Sequence, residues 1–338
     1  MEETNPGQWG ASMAMRLPVT GNQGPMDLVL SKTRKQNKAD TFFKGITQIA
    51  ALVVFLSMVG IFVELFRSSH LSIAKFGFGF LTSQAWNPVT ENFGALSSVY
   101  GTLVSTAIAL IVAIPLSLVS ALFLVELAHP LVSRYVGYGI ELLAAIPSII
   151  YGMWGLFVFA PFMADHIQPF LQETLGFLPF FKGPPMGIGM LTSGIILALM
   201  IFPFTTAVMR DVLRMVPPVV KEAAYGMGTT TYEVTRKVTV PYGLMGLMGA
   251  VFLGLGRAIG ETMAVTFVIG NNHNISASLF AAGNSIASTL ANEFTEASEP
   301  IYLSSLVELG LVLYIITFLI QVGAHFWLKH LNKAKGGH

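Results

Sequence analysis

The chain has 338 residues, 53% of them hydrophobic and only 11% charged, with a net charge of +1 and no cysteine. A soluble domain carries about 25% charged residues, so this composition points to a membrane protein with several spans and leaves nucleic-acid binding without electrostatic support. The lack of cysteine excludes a disulfide, a thiolate nucleophile and a cysteine metal site.

Residues 1–40 read as a polar tail, a solvated arm whose basic cluster (Lys32, Arg34, Lys35, Lys38) can hold it at an anionic lipid surface. So much polar sequence before the first apolar run argues against a cleavable signal peptide. Six apolar runs follow, at about 43–66, 98–125, 139–161, 189–213, 242–270 and 303–328. Each is near the roughly 20 residues a helix needs to span a bilayer. They predict an all-α integral membrane protein with six transmembrane helices. A first helix and loop occupy 41–97, the main transmembrane domain 98–328 and a short tail 329–338, with no internal repeat or second domain.

Pro147, within AAIPSIIYG of the third run, predicts a kink or break. Proline in a span is tolerated where neighbouring helices satisfy the freed carbonyl, and such a break serves either a pathway or plain packing. Residues 67–97 contain FGFGFLTSQAWNP, whose aromatics suit a membrane interface. Residues 271–302 hold Glu293, Glu296 and Glu299 but no Lys or Arg. Their Ile286, Leu290 and Phe294, four apart, fit a short amphipathic helix over a pore mouth, against an outside partner, or a packed loop.

Fifteen of the nineteen Lys and Arg fall in the N-terminal tail, the 126–138 and 210–241 segments and the C-terminus. Three lie on the other side (Arg67, Lys75, Lys182), and Arg257 lies inside a span. The excess belongs in the cytoplasm, so both termini and the 210–241 segment are expected there.

That segment includes KEAAYGMGTTTYEVTRKVTVP, residues 221–241. Pro217-Pro218 ends the preceding span, a short helix restarts, and Gly228 suits a left-handed stop. Thr230 and Glu233 form a capping box that opens a second helix, up to Pro241. The hairpin, residues 217–241, presents a knob to the cytoplasm. Its Glu222-Ala223-Ala224, Gly228 and Val238-x-Val240-Pro241 resemble the Glu-Ala-Ala signature of ABC-importer membrane subunits, with Val in place of Ile and Leu.

GLGRAIGETMAV in the fifth run sets Arg257 and Glu261 four apart, on one face of a continuous helix. Arg257 falls near the middle of the run, where it costs roughly 2.5–3.5 kcal/mol on insertion scales, so intramembrane charge is by default a functional hypothesis. The competing reading is a structural ion pair between closely packed helices, which Gly256 and Gly260 favour. A guanidinium fork fits phosphate or sulfate oxygens. Glu261 makes sense beside an anion that still carries a proton, which favours phosphate over sulfate; it also fits a role in holding Arg257. There is no G-x-x-x-x-G-K-[ST], so an ATP site must belong to another polypeptide. No H-E-x-x-H pair supports an intramembrane hydrolase.

Residues from about 76 to 328 resemble the PstC-type permease subunits of phosphate-specific ABC importers. The matching stretches are WNPVTENFGALSSVYGTLVSTAIAL, AAIPSIIYGMWGLF, EAAYGMGTTTYEVTRKVTVP, GLGRAIGETMAV and SIASTLANEF. The resemblance implies a type I ABC-importer permease fold with a cytoplasmic coupling hairpin, in a bacterial inner membrane. It implies a heterodimer with a PstA-type permease, a PstB-type ATPase dimer carrying ATP and Mg, and a PstS-type binding protein outside. The chain itself is then no enzyme and carries no cofactor, and its surroundings are membrane lipid. Arg257 and Glu261 would lie on the phosphate path, beside the helix break at Pro147. Glu222, Ala223, Ala224, Gly228 and Pro241 would couple the ATPase. Two alternatives remain: a permease for sulfate, molybdate or phosphonate, and a secondary transporter or channel with Arg257 and Glu261 as an ion relay.

Overall fold

The computed structural model describes the backbone of residues 25–334 and the side chains of residues 40–330. The chain divides at residues 61 and 62 into two compact units. The first contains the start of helix α1 (Pro25–Ser68). Helix begins at Pro25, so the expected solvated arm gives way to helix across residues 25–40. Proline suits the first helical position, and the segment after it contains neither Gly nor Pro before Gly45. Residues 1–24 lie outside the described part. The apolar side chains of residues 40–61 are exposed, among them Phe43, Ile49 and Phe55.

The second unit continues through short helices α2 (His70–Phe76) and α3 (Gly79–Thr82) to a two-residue hairpin, β1 (Trp86–Asn87) and β2 (Asn92–Phe93). The strands pair antiparallel, Trp86 opposite Phe93. Phe80 and Phe93 are fully buried and Phe76 and Trp86 pack against them, so these aromatics join a core, while Phe78 stays exposed. Helix α4 (Leu96–Leu122) runs on through a π-helical turn, Phe123–Leu127.

The third span is divided. Helix α5 covers Pro130–Ala144, and α6 (Ser148–Trp154) restarts after Pro147. From there π-helical turns and short helices α7 (Ala160–Phe162) and α8 (Gln168–Leu175) make one apolar stretch to Leu175. The expected run 139–161 therefore straddles a real break.

Helix α9 (Met190–Arg214) is the hub: 67% of its apolar window is buried, against 39% or less in the other five spans. It packs on a stripe of small α4 residues, Ser105, Ala109, Ala113, Ser117 and Ala121. Such residues let backbones approach closely where lipid offers no hydrophobic driving force. A Cβ on Gly194 of α9 would sit 2.6 Å from Ile108. Ile196, Ile201, Ala109, Val265 and Ile269 form the central core.

The hairpin follows as α10 (Pro218–Gly226) and α11 (Thr231–Val234). A π-helical turn, Thr235–Thr239, then leads directly into α12 (Val240–Ile259). The second hairpin helix was expected to stop at Pro241. It continues instead, as one helix from Thr231 to Ile259. The wide turn just before Pro241 accommodates a ring that an unbroken α-helical ladder would exclude.

The fifth span is also divided: α12 ends at Ile259 and α13 spans Met263–Val268, where 242–270 was expected as one helix. An extended segment leads to α14 (Ile286–Glu293), the amphipathic helix anticipated in the loop, which packs on α4 and α15. Helix α15 (Pro300–Ala334) closes the described chain. Residues 335–338 of the tail 329–338 lie outside it. Among the described residues, six helices are long and apolar enough to cross a membrane.

Candidate functional site

The two breaks meet. Helix α6 packs against α13, and the P-S-x-x-Y-G motif explains why. Proline offers no N–H to the carbonyl four residues before it, which is that of Leu143. The Tyr151 hydroxyl donates to this carbonyl at 3.0 Å, stitching α6 back onto α5. Gly152 then lets the helices touch, since a Cβ there would lie 3.0 Å from the Ala264 Cα and 2.8 Å from the Phe267 ring.

Arg257 lies in the last turn of α12, exposed on the surface of the chain. Its guanidinium sits 5.4 Å from the centroid of the Phe204 ring on α9. Gly254 brings α12 close to α9, where a Cβ would meet Thr205 Oγ1 at 2.9 Å, and Gly256 does the same toward Gln321 on α15. The glycines of GLGRAIG thus let α12 pack closely on α9 and α15 beside the arginine.

Glu261 departs from expectation. The helix ends at Gly260 (φ −87°, ψ 3°), so Glu261 is not one turn above Arg257 on a shared face. Among the described residues the two form no ion pair. Glu261 Oε1 instead accepts from the Ala264 amide at 3.1 Å, capping α13. The cation stands at a helix C-terminus and the carboxylate at a helix N-terminus, the placement that helix dipoles favour.

The hairpin bears out its predicted local chemistry. Gly228 has φ +82°. Thr230 Oγ1 accepts from the Glu233 amide while the Glu233 carboxylate accepts from the Thr230 amide. Ala224 is buried, whereas Glu222 and Ala223 are exposed. Met215, Val219, Met227 and Tyr232 also stand exposed around this knob.

Three charged features escaped the sequence reading. Lys221 pairs with Glu126 at 2.6 Å, both side chains largely buried, tying α10 to the end of α4. Arg210 is buried between Glu141 at 2.7 Å and Asp211 at 2.9 Å. Glu308 is buried on α15, one carboxylate oxygen without a partner among the described residues. Arg210 and Glu308 both lie inside expected apolar runs, which was the available signal; nothing in the sequence pairs Lys221 with a residue 95 positions away.

At the other end of α9, the amides of Gly189, just before the helix, and of Met190 and Leu191 donate to the carbonyls of Val268, Ala281 and Leu279. Here Glu293 gathers Trp86 Nε1 at 2.5 Å, the Tyr302 hydroxyl at 2.7 Å and His273 Nε2 at 3.1 Å. Burial pushes the Glu293 carboxyl up, but the hydrogen bonds from His273, Tyr302 and Trp86 outweigh it and hold it below the ordinary carboxylate range.

Residues 113–335 match the family model described as binding-protein-dependent transport system inner membrane component. The phosphate transport system permease protein PstC of Mesorhizobium japonicum is 52% identical over 88% of this chain and 92% of its own length. That of Haemophilus influenzae is 48% identical over 91% of this chain and 100% of its own. A chain in the crystal structure of a bacterial alginate ABC transporter, with an alginate-bound periplasmic protein, superposes with a TM-score of 0.57 at 15% identity. That match covers 88% of this chain and 98% of the other, and it supports the fold alone. The chain belongs to the family of binding-protein-dependent transport system inner membrane components, in its PstC-type permease branch.

Proposed function

We propose that this chain is one permease subunit of an ATP-driven importer that moves inorganic phosphate into the cytoplasm. The observation that carries the reading is Arg257 at the meeting of two broken helices, α5–α6 and α12–α13. Discontinuous spanning helices characterise substrate sites in transporters, because free backbone groups at membrane depth persist only where protein or a water-filled cavity satisfies them. The names of the relatives point to phosphate as the anion.

The partner subunit is a PstA-type permease, and a PstS-type protein delivers phosphate on the far side. The 217–241 hairpin faces the cytoplasm together with both termini. A PstB-type ATPase dimer, carrying ATP and Mg, docks on Glu222, Ala223 and the exposed Met215, Val219, Met227 and Tyr232. Gly228 sets the angle of the knob, and Pro241 sits where the knob enters the fifth span. A gradient-driven carrier has no use for such a surface, which disfavours that alternative.

The test is uptake of radiolabelled phosphate, sulfate, molybdate and phosphonate by the complex reconstituted with its ATPase and binding protein. Phosphate uptake that requires ATP and falls at least a hundredfold in Arg257→Gln is expected, given about 3 kcal/mol or more for a lost charged contact in a site from which water is excluded. Preference for another anion, or uptake without the ATPase, would overturn the reading.

A further inference from the structure

Away from Arg257, a second group of cations surrounds a cavity between α5 and α9 on the hairpin side. Ser133, Arg134, Tyr138 and Glu141 line it from α5, and Arg210 and Arg214 from α9, around a volume of about 520 Å³. The spacing accounts for the convergence. Arg134 and Glu141 stand two turns apart on one face of α5, and Arg210 and Arg214 one turn apart on one face of α9. The lining carries three guanidiniums against one carboxylate.

The donors are incompletely used. Arg210 is 5% exposed and is held by Glu141 Oε1 at Nη2 and by Asp211 Oδ1 at Nε and Nη2. Its Nη1 makes no hydrogen bond to a described residue. Gly137 leaves room for this nitrogen, since a Cβ there would lie 2.5 Å from it. Arg214 makes one long bond, 3.3 Å, to Ser133 Oγ. Arg134 makes neither a hydrogen bond nor an ion pair with a described residue. Three like charges gathered at one cavity repel each other, and an oxyanion relieves that repulsion while taking up the free N–H groups in a geometry that planar guanidiniums match. The two carboxylates leave Arg210 fixed and short of one acceptor.

The cavity is separate from the Arg257 site. On α9, Arg210 follows Phe204 by six residues, roughly 9 Å at 1.5 Å per residue. A different, apolar cavity is lined by Leu143 of α5, Ile150, Tyr151 and Trp154 of α6, and Leu199, Phe202 and Pro203 of α9. A lipid whose chains lie against the apolar side of α5, at Val136, Leu142 and Leu143, would carry its headgroup toward the arginines.

We infer that Arg134, Arg210 and Arg214 form a second oxyanion site that takes a phosphate group, either free inorganic phosphate or the headgroup phosphate of an anionic lipid. The inference rests on the proposed function only for phosphate as the free anion. The test uses the whole complex in neutral detergent, with Arg257→Gln as the parent so that binding at the first site is removed. Equilibrium dialysis with radiolabelled inorganic phosphate is compared between that parent and the same complex carrying Arg134→Gln and Arg214→Gln. Both side chains are exposed, so assembly should survive, and ATPase pull-down verifies it. Native mass spectrometry of the same pair, after incubation with phosphatidylglycerol or phosphatidylcholine vesicles, counts retained lipid.

Phosphate binding weakened by about tenfold or more in the double variant, and partly restored by Arg134→Lys with Arg214→Lys, identifies a free-anion site. Phosphatidylglycerol retained by the parent and lost from the double variant identifies a headgroup site. Equal phosphate binding and equal lipid retention in both complexes would overturn the inference. If the single Arg257→Gln complex still imported phosphate, the pathway reading would fail, while the comparison at the second cavity would stand.

Discussion

Arg257 and Glu261 are neighbours in sequence with different tasks. The carboxylate caps α13 through Ala264, so Glu261→Gln keeps an acceptor in place and is expected to retain most transport, with a stability loss below about 1 kcal/mol. Arg257→Gln is expected to abolish it. Among the described residues they form no ion pair, so removing both charges should rescue nothing. The double variant Arg257→Met, Glu261→Gln is expected to assemble and to retain its ATPase in a pull-down, yet to import no phosphate. Uptake restored relative to Arg257→Met alone would make the charges structural. The place of Arg257 inside a candidate span was legible because an apolar run surrounds it. The break was not, since the residues after Gly260 remain mostly apolar and the helical period continues through it.

At the scale of elements, the hairpin depends on one glycine and one ion pair. Gly228 adopts φ +82° with open space around it, so Gly228→Val meets no clash with neighbours but strains its own backbone, by about 1–2 kcal/mol. The variant is expected to insert and assemble, with phosphate uptake and binding-protein-stimulated ATP hydrolysis both reduced; wild-type values for both would refute the role of the turn. Lys221 and Glu126 are largely buried at 2.6 Å, and removing one partner of such a pair costs about 3–5 kcal/mol. Either Lys221→Met or Glu126→Gln alone should lower the phosphate moved per ATP hydrolysed. The exchange Lys221→Glu with Glu126→Lys should recover much of that ratio, and a plain loss of packing would give no such recovery. The capping box and the left-handed glycine were readable because they are local. The link to α4 and the continuation through Pro241 were not, because one depends on tertiary contact and the other on a π-helical turn with no sequence signature here.

Across the whole molecule, the hairpin occupies one end of α9 and the Glu293 clamp the other. The clamp joins β1 through Trp86, the extended segment through His273 and α15 through Tyr302, with Trp86 and His273 stacked at 5.3 Å and Phe93 stacked on Tyr302 at 5.2 Å. Such long-range convergence is invisible in sequence, where SIASTLANEF shows only an amphipathic helix. It carries a pH signature. The Glu293 carboxyl lies below its ordinary value in the folded protein, so its contribution is fully present above the ordinary carboxylate range. It is lost as pH falls through the lowered folded value. Thermal melting of the detergent-solubilised complex should therefore show an acid-side loss of stability at this end of the molecule. Glu293→Gln should melt lower at neutral pH, by about 1–3 kcal/mol for a weakened set of charged hydrogen bonds, and its acid-side dependence should be shallower because glutamine does not titrate. Hydrogen exchange at the amides of 271–293 reads the same event locally. If wild type and variant lost protection there in parallel as pH fell, another carboxylate would be responsible, and the clamp would be packing rather than a charge-dependent latch.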